Sequence, residues 1–272
     1  MVRKLFPGGR EKAVNFSYDD GVTQDLQFVP LLNKYGMKGT FNLNSKLLLE
    51  GFTWEHPCGK TISRLPKEEI VSLYEGHEIA SHTATHPMME NISEEEILEE
   101  MISDKKALEE IFGREVVGFA LPFSYHDERV YRCSHAAGFT YARISEAAPD
   151  FSIPEDLHRW KGSLFHLDDR MDECVESFLN TDRELALFQP IGHSYDLDVH
   201  EKWEWFEQIL RKLHADNSVW PATHIEIVRY LQNMEKADIT ECAVINNSNA
   251  DLWFCVNGKT VVLHPGEKEE IK

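Results

Sequence analysis

Short apolar runs alternate along this chain with amphipathic segments of helical period. The runs predict strands at 13–18, 39–44, 77–82, 116–123, 139–144, 158–165, 185–192 and 218–222. The clearest helical segments lie at 24–36, 66–76, 93–112 and 200–215. Strands that alternate with helices are typical of parallel sheets with right-handed crossovers. The pattern therefore predicts an α/β fold, an irregular (β/α) barrel of seven or eight strands.

The pattern changes near the C-terminus. From Cys242 onward apolar and polar residues alternate without a helical period, and Asn257-Gly258 is a typical hairpin turn. We expect a barrel over residues 1–240 and a β extension over 241–272 that packs on it.

Composition narrows the possible partners. The 272 residues are 42% hydrophobic, and 47 acidic against 28 basic side chains give a net charge of -19. This charge disfavours nucleic acid and anionic membranes as partners.

The five cysteines are scattered and contain no CxxC pair, so no disulfide framework is predicted. The first residues lack the apolar run of a signal peptide, and no apolar stretch is long enough to span a bilayer, which predicts a soluble, cytoplasmic protein. The oligomeric state is left open.

Polar clusters follow four of the predicted strands. In a (β/α) barrel such positions meet on the face at the carboxyl ends of the strands. The clusters are Asp19-Asp20-Gly21, Ser81 to Pro87, Pro122-Phe123-Ser124 and Gly192-His193-Ser194.

Two of these clusters contain potential metal ligands. His82 and His86 are four residues apart, so one helical turn would place both imidazoles on the same side. A carboxylate from Asp19 or Asp20 would complete a site of two histidines and one carboxylate with an open position for water. A divalent cation would also offset the repulsion between the two aspartates, and the second carboxylate would be free to act as a general base. The alternatives are a polar turn at the aspartates and surface histidines; the combination favours the metal.

These motifs carry a resemblance to a known family. In chain order the motifs are Phe16-Ser17-Tyr18-Asp19-Asp20-Gly21, His82-Thr83-Ala84-Thr85-His86-Pro87, Leu121-Pro122-Phe123 and Gly192-His193. Their order and residues resemble those of the polysaccharide deacetylases, carbohydrate esterase family four. The resemblance covers roughly residues 13–235. The resemblance implies a distorted (β/α) barrel and metal-dependent removal of acetyl groups from an N- or O-acetylated sugar.

The resemblance also implies a role for each matched residue. Asp19 matches the catalytic base, and His193 matches the general acid that protonates the leaving amine. Asp20, His82 and His86 match the ligands of a divalent metal, usually zinc. That metal would polarise the acetyl carbonyl and acidify the attacking water.

One position departs from the family pattern. The arginine that normally precedes the proline of the third motif by two residues, and orients the catalytic aspartate, is Ala120 in this chain. We hypothesise that Arg143, at the end of the next strand, supplies the missing charge; a purely structural arginine is the alternative. With this departure the chain resembles a divergent branch of the family, which includes domains of gellan-degrading lyases.

Aromatic side chains near the predicted rim are candidates for a sugar platform, because flat rings stack on the apolar faces of pyranosides. Packing in the core is the alternative for each of them. The predicted substrate-binding residues are the aromatic Phe123, Trp160 and Tyr195 together with Pro122 and Arg143.

The sequence thus predicts a metal-dependent deacetylase of an acetylated oligo- or polysaccharide. Two alternatives stay open at this point. One is a metal-dependent hydrolase of another amide, and the other is a sugar-binding module without catalysis.

Overall fold

The computed structural model of the chain describes residues 2–123 and 125–271. Ser124, a member of one predicted rim cluster, lies outside the described residues. The α-helices are α1 (Asp25–Lys34), α2 (Ser45–Glu50), α3 (Lys67–Leu73), α4 (Glu94–Phe112), α5 (Glu128–Ala136), α6 (Met171–Asn180), α7 (Ser194–Val199), α8 (Trp203–Ala215) and α9 (His224–Met234).

The strands are short, and several predicted strands are divided into two. In chain order they are β1 (Val2–Leu5), β2 (Lys12–Val14), β3 (Phe16–Asp19), β4 (Gly39–Leu43), β5 (Thr53–Glu55), β6 (Thr61–Ser63), β7 (Glu78–Ser81), β8 (Gly118–Ala120), β9 (Tyr141–Ala147), β10 (Trp160–Gly162), β11 (Leu164–Phe165), β12 (Ala186–Phe188), β13 (Pro190–Gly192), β14 (Val219–Pro221), β15 (Asp238–Ile239), β16 (Ala243–Ile245), β17 (Leu252–Val256), β18 (Lys259–Leu263) and β19 (Lys268–Glu270).

A parallel barrel forms the centre of the molecule. Within the described residues, eight parallel strands pair in the order β10-β9-β8-β7-β4-β3-β13-β11. The two outer strands, β10 and β11, are separated only by Ser163. This single stretch of chain pairs with β9 through β10 and with β13 through β11, so the sheet closes on itself. The predicted irregular (β/α) barrel is confirmed.

Two predicted strands are interrupted at the same level by a buried amide. Asn15 separates β2 from β3, and Gln189 separates β12 from β13. Nε2 of Gln189 donates a hydrogen bond to Oδ1 of Asn15 at 2.9 Å. On the amino-terminal side of Asn15 and Gln189, β2, β12 and β14 form a separate parallel sheet. The predicted strands 13–18 and 185–192 therefore each contribute to two sheets.

Helix ends follow local sequence signals. Ser93 and Glu96 form the capping box that begins α4, and Gly113, with φ of +63°, ends it. Thr223 and Glu226 form the same box at α9, a helix that the periodicity analysis missed. None of the helices within residues 2–123 and 125–271 has the length and hydropathy needed to cross a membrane.

The C-terminal strands pack against the N-terminus of the chain. β17 and β18 form the predicted hairpin around Asn257-Gly258, and β17 also pairs antiparallel with β1. The buried side chains of Leu252 and Phe254 share an apolar cluster with Phe6 and Tyr230. The division at residue 240 stays a prediction.

The interior of the barrel contains a buried carboxyl group at the amino end of β7. Glu78 accepts hydrogen bonds from Thr40 Oγ1 (2.9 Å), Tyr141 Oη (2.7 Å) and the Ile225 amide (2.8 Å). Burial raises the pKa of Glu78 to about 7, although these hydrogen bonds oppose the rise. The folded protein therefore retains this proton between about pH 4.5 and pH 7, where the unfolded chain has lost it.

This difference predicts a pH-dependent stability. Because the folded state binds the extra proton, the free energy of unfolding should fall by roughly 2–3 kcal/mol as the pH rises through that window. Glu78→Gln keeps the shape of the side chain and should reduce the fall by about that amount, as urea unfolding at pH 5 and pH 7.5 would measure. The exposed Glu75→Gln is the matched control. An equal pH dependence in Glu78→Gln and wild type would contradict the prediction.

Candidate active site

A cavity of about 640 Å³ opens at the carboxyl ends of the barrel strands. Residues from each of the four predicted clusters line it, together with side chains from β9 and from the hairpin of β5 and β6. The lining residues are Asp19, Asp20, Leu47, Phe52, Trp54, Arg64, His82, Thr85, His86, Phe123, Arg143, Ser145, Phe165, Ile191, Gly192, His193 and Tyr195.

A tight turn after β3 presents two adjacent carboxylates to this cavity. Asp20 and Gly21 both have positive φ, +85° and +63°. A Cβ at position 21 would lie 2.7 Å from Leu43 Cδ2, so both the backbone conformation and the space favour glycine there. The turn leaves both aspartate side chains buried at the cavity wall.

Asp20, His82 and His86 converge as a potential metal site. One ligand atom from each lies within 4.8 Å of the others. The Ala120 carbonyl accepts a hydrogen bond from His82 Nδ1 at 2.7 Å, which leaves the lone pair on Nε2. Burial lowers the pKa of His82 to about 4 and also lowers that of His86, so both rings are neutral at pH 7, as ligation requires.

The two histidines converge for a different reason than the spacing predicts. Residues 82–88 form no helix, so the expected helical turn is wrong. The chain instead bends through Thr83 and His86, whose φ values are +66° and +55°. Asn44 Nδ2 donates to the carbonyls of His82 (2.5 Å) and Thr83 (2.9 Å), and Thr85 bonds to Glu100 through its amide and hydroxyl. These bonds hold the loop so that both rings face Asp20.

Asp19 is fixed from two sides. Arg143 Nη2 donates to both of its carboxylate oxygens, at 2.6 Å for Oδ2, and Asn42 Nδ2 donates to Oδ1 at 2.7 Å. Oδ2 also lies 3.9 Å from His82 Nε2. Burial alone would raise the pKa of Asp19, but the charge and hydrogen bonds of Arg143, together with His82 and His193, outweigh it and lower the pKa. Asp19 is therefore ionised at neutral pH.

Arg143 occupies the place that the sequence hypothesis gave it. It pairs directly with Ala120 across β8 and β9, so its long side chain starts one strand away from the usual arginine position. It is 1% exposed and forms an ion pair with Asp19. The structure thus shows that Arg143 pairs with Asp19, and its role in catalysis stays a prediction.

His193 belongs to a chain of hydrogen bonds that includes Asp196, three residues further along the sequence. Its Nδ1 donates to Asp196 Oδ2 at 3.0 Å, and His166 Nε2 donates to the same oxygen at 3.3 Å. Tyr18 Oη donates in turn to His166 Nδ1 at 2.8 Å. Burial would lower the pKa of His193, but Asp196 and the nearby carboxylates of Asp20 and Asp19 raise it to about 9. His166 directly follows β11, so the strand-end rule could have identified it.

Arg64 is a second charged residue that the sequence analysis missed. Its Nη1 donates to the Asp20 carbonyl and lies 2.8 Å from Asp20 Oδ1. Burial would raise the pKa of Asp20, but Arg64 and the nearby histidines lower it well below its usual range. Oδ1 is buried, yet no donor in the described part of the chain is aligned to hydrogen-bond with it. A carboxylate beside two neutral imidazoles is a donor set that fits a divalent cation.

The predicted substrate-binding residues divide into two groups. Phe123 (44% exposed) and Tyr195 line the cavity with Arg143. Pro122 is buried and lies outside the lining set. The expectation for Trp160 is wrong: its side chain is fully buried, with its ring 4.1 Å from that of His224. Its ring packs near those of Tyr141 and His224 in the core and does not reach the cavity.

Comparison with known proteins identifies the family of this chain. The family model for polysaccharide deacetylase matches residues 7–142, half of the chain. The chain belongs to the polysaccharide deacetylase family. It is 26% identical over 141 residues to a putative polysaccharide deacetylase, YxkH, of Bacillus subtilis, a match that covers 50% of this chain and 46% of the relative. It is 28% identical over 131 residues to a peptidoglycan-N-acetylglucosamine deacetylase of Bacillus cereus, covering 47% of this chain and 54% of the relative.

The match thus spans about half the length of these curated relatives. A solved structure of a putative polysaccharide deacetylase from Mycobacterium smegmatis shares the fold. Its TM-score is 0.63 at 16% identity, over 86% of this chain and 95% of that one. The family predicted from the motifs is confirmed, and the narrower resemblance to gellan-lyase domains stays a prediction.

Proposed function

We propose that this polysaccharide deacetylase family member is a metal-dependent hydrolase that removes acetyl groups from N- or O-acetylated carbohydrate. One observation carries the proposal. The cluster of Asp20, His82 and His86 lies beside an ionised Asp19, and His193 Nε2 lies 3.9 Å from Asp20 Oδ2 in the same cavity.

The proposed metal ligands are Asp20, His82 and His86. Two imidazoles and a carboxylate with an open position suit zinc, although other first-row divalent ions prefer similar donors. A bound cation would supply Lewis acidity, which polarises the acetyl carbonyl and lowers the pKa of water.

Asp19 is the proposed general base. It is ionised and buried, and its Oδ2 lies 3.9 Å from the nearest imidazole nitrogen of the metal cluster. Arg143 and Asn42 fix its orientation, so that the carboxylate can accept the proton of the attacking water without rearrangement.

His193 is the proposed general acid. Its Nδ1–H is bound to Asp196, which directs Nε2 towards the cavity, where it lies 3.9 Å from Asp20 Oδ2. The protonated ring can therefore donate its Nε2 proton to the departing amine or alkoxide. Asp19 and His193 thus serve opposite steps of one hydrolysis.

The proposal is tested by acetate release. Purified protein is incubated with acetylated chito- and xylo-oligosaccharides and, in parallel, with small acetylated amides. We expect release from the saccharides, its loss after chelation, and its recovery on addition of Zn²⁺. Release from the small amides alone would replace carbohydrate by another amide as substrate. A protein that binds the oligosaccharides but releases no acetate with any divalent ion would be a binding module.

Moving the arginine tests the role of Arg143. Arg143→Ala should lower kcat/KM by about 100-fold, because Asp19 loses the charge that keeps it ionised and oriented. Ala120 pairs with Arg143 across the two strands. Adding Ala120→Arg to the Arg143→Ala variant should therefore raise its kcat/KM at least tenfold. The exposed Arg132→Ala is the matched control. A double variant no more active than Arg143→Ala would contradict this role.

A further inference from the structure

A hairpin forms one side of the cavity. We name residues 52–64, which contain β5 and β6, the wall hairpin. Its end is attached to the site through Arg64, which binds Asp20. Its tip is attached to α7, because Lys60 Nζ donates to the Asp198 carbonyl at 2.8 Å.

Trp54 is the central side chain of this wall. The guanidinium of Arg64 lies 5.2 Å from its ring centre, and the Tyr195 ring meets it edge-on at 5.6 Å. The ring of Phe52 stacks beside it at 6.2 Å. Trp54 is only half-buried and lines the cavity, so part of its surface is available to a ligand.

The strand order shows which part of the rim the hairpin occupies. Neighbouring strands around the barrel run from β4 through β3 to β13. The hairpin follows α2, which comes after β4, and its tip contacts α7, which comes after β13. It therefore crosses the rim above β3. The opposite rim, above β8, β9 and β11, presents the small Ser145 between Phe123 and Phe165, which are 44% and 40% exposed.

From this asymmetry we infer that the enzyme acts on the terminal acetylated sugar of a chain, which stacks on Trp54 while the rest of the chain leaves over Ser145. A polymer that passed through the cavity would need an exit where Trp54 packs on Tyr195 and Lys60 binds Asp198. Rings that are already held in place stack on a pyranose without an entropic cost of ordering. The inference rests on the proposed function and names the substrate class for the same site.

The position of deacetylation tests the inference. Fully acetylated chito-hexaose labelled at its reducing end is treated with the enzyme, and fragment masses locate the first residue to lose acetyl. We expect loss at one terminal residue. Trp54→Ala should raise the KM for the hexaose about tenfold with a smaller change in kcat. Trp253→Ala, an equally half-buried tryptophan of β17, is the matched control and should change neither.

Two results would overturn the inference. One is deacetylation of internal residues as fast as terminal ones by the wild type. The other is a KM for Trp54→Ala equal to that of the Trp253→Ala control.

A binding measurement distinguishes a failure of this inference from a failure of the proposed function. Quenching of tryptophan fluorescence by unacetylated chito-hexaose should be present in the wild type and weakened in Trp54→Phe, which retains a ring should Trp54→Ala fail to fold. If no substrate releases acetate, the proposed function fails, and with it the chain-end specificity. The quenching then decides on the Trp54 platform, which is overturned if wild type and Trp54→Phe respond alike.

Discussion

Asp19→Asn is expected to lower kcat for acetate release by about 10³-fold while the protein still binds one equivalent of divalent metal. An amide has nearly the same shape as the carboxylate and can keep its bond to Arg143, but it cannot accept a proton from water. General-base catalysis contributes about 10²- to 10⁴-fold, and the loss should lie within this range. Steady-state acetate release and elemental analysis of the same preparation measure both quantities.

The neighbouring carboxylate provides the matched control. Asp20→Asn should lose both metal and activity, because Asp20 and not Asp19 belongs to the cluster with His82 and His86. Loss of metal in Asp19→Asn, or turnover within tenfold of wild type, would show that the roles of the two aspartates are assigned wrongly.

The two aspartates remain ionised side by side because each has its own arginine. Arg143 approaches Asp19 from β9, and Arg64 approaches Asp20 from the wall hairpin. Each guanidinium, together with nearby histidines, outweighs the burial that would otherwise raise the pKa of its partner. Both oxygens of Asp19 accept hydrogen bonds from Arg143, whereas Asp20 Oδ1 lies close to Arg64 without hydrogen-bond geometry and is 3.9 Å from His86 Nε2. This difference favours Asp20 as the ligand and Asp19 as the base.

The sequence predicted the parts of this site that depend on strand order. Alternating strands and helices predict a parallel barrel, and in such a barrel side chains after different strands meet on one face. Asp19, His82 and His193 therefore meet although they are far apart along the chain. Arg143 was a candidate because Ala120 departs from the family pattern and Arg143 lies at the end of the next strand.

Contacts without a local pattern could not be predicted in this way. Arg64 reaches Asp20 through a hairpin whose two short strands have no distinctive alternation. The sequence analysis selected Trp160 as a sugar-binding candidate and did not select Trp54, but Trp160 is fully buried and Trp54 lines the cavity. The bend at Thr83 and His86 depends on bonds from Asn44 and Glu100, which no spacing rule contains.

The metal itself is tested by removing its two imidazole ligands. The double variant His82→Ala, His86→Ala is expected to contain less than a tenth of the metal of the wild type and to release acetate at least about 10³-fold more slowly, because the carboxylate of Asp20 alone cannot retain a divalent ion. Elemental analysis after dialysis measures the first quantity. Chelation should lower the Tm of the wild type and leave that of the double variant unchanged, since a ligand stabilises only the fold that binds it.

Two exposed histidines outside the cavity provide the control for this experiment. His200→Ala, His264→Ala removes the same number of imidazoles and should retain both metal and turnover. Because His82 is buried, far-ultraviolet circular dichroism of the double variant must match that of the chelated wild type before its activity is interpreted. A folded double variant that still holds one equivalent of metal would place the ion elsewhere and remove the basis for Asp19 as its neighbouring base.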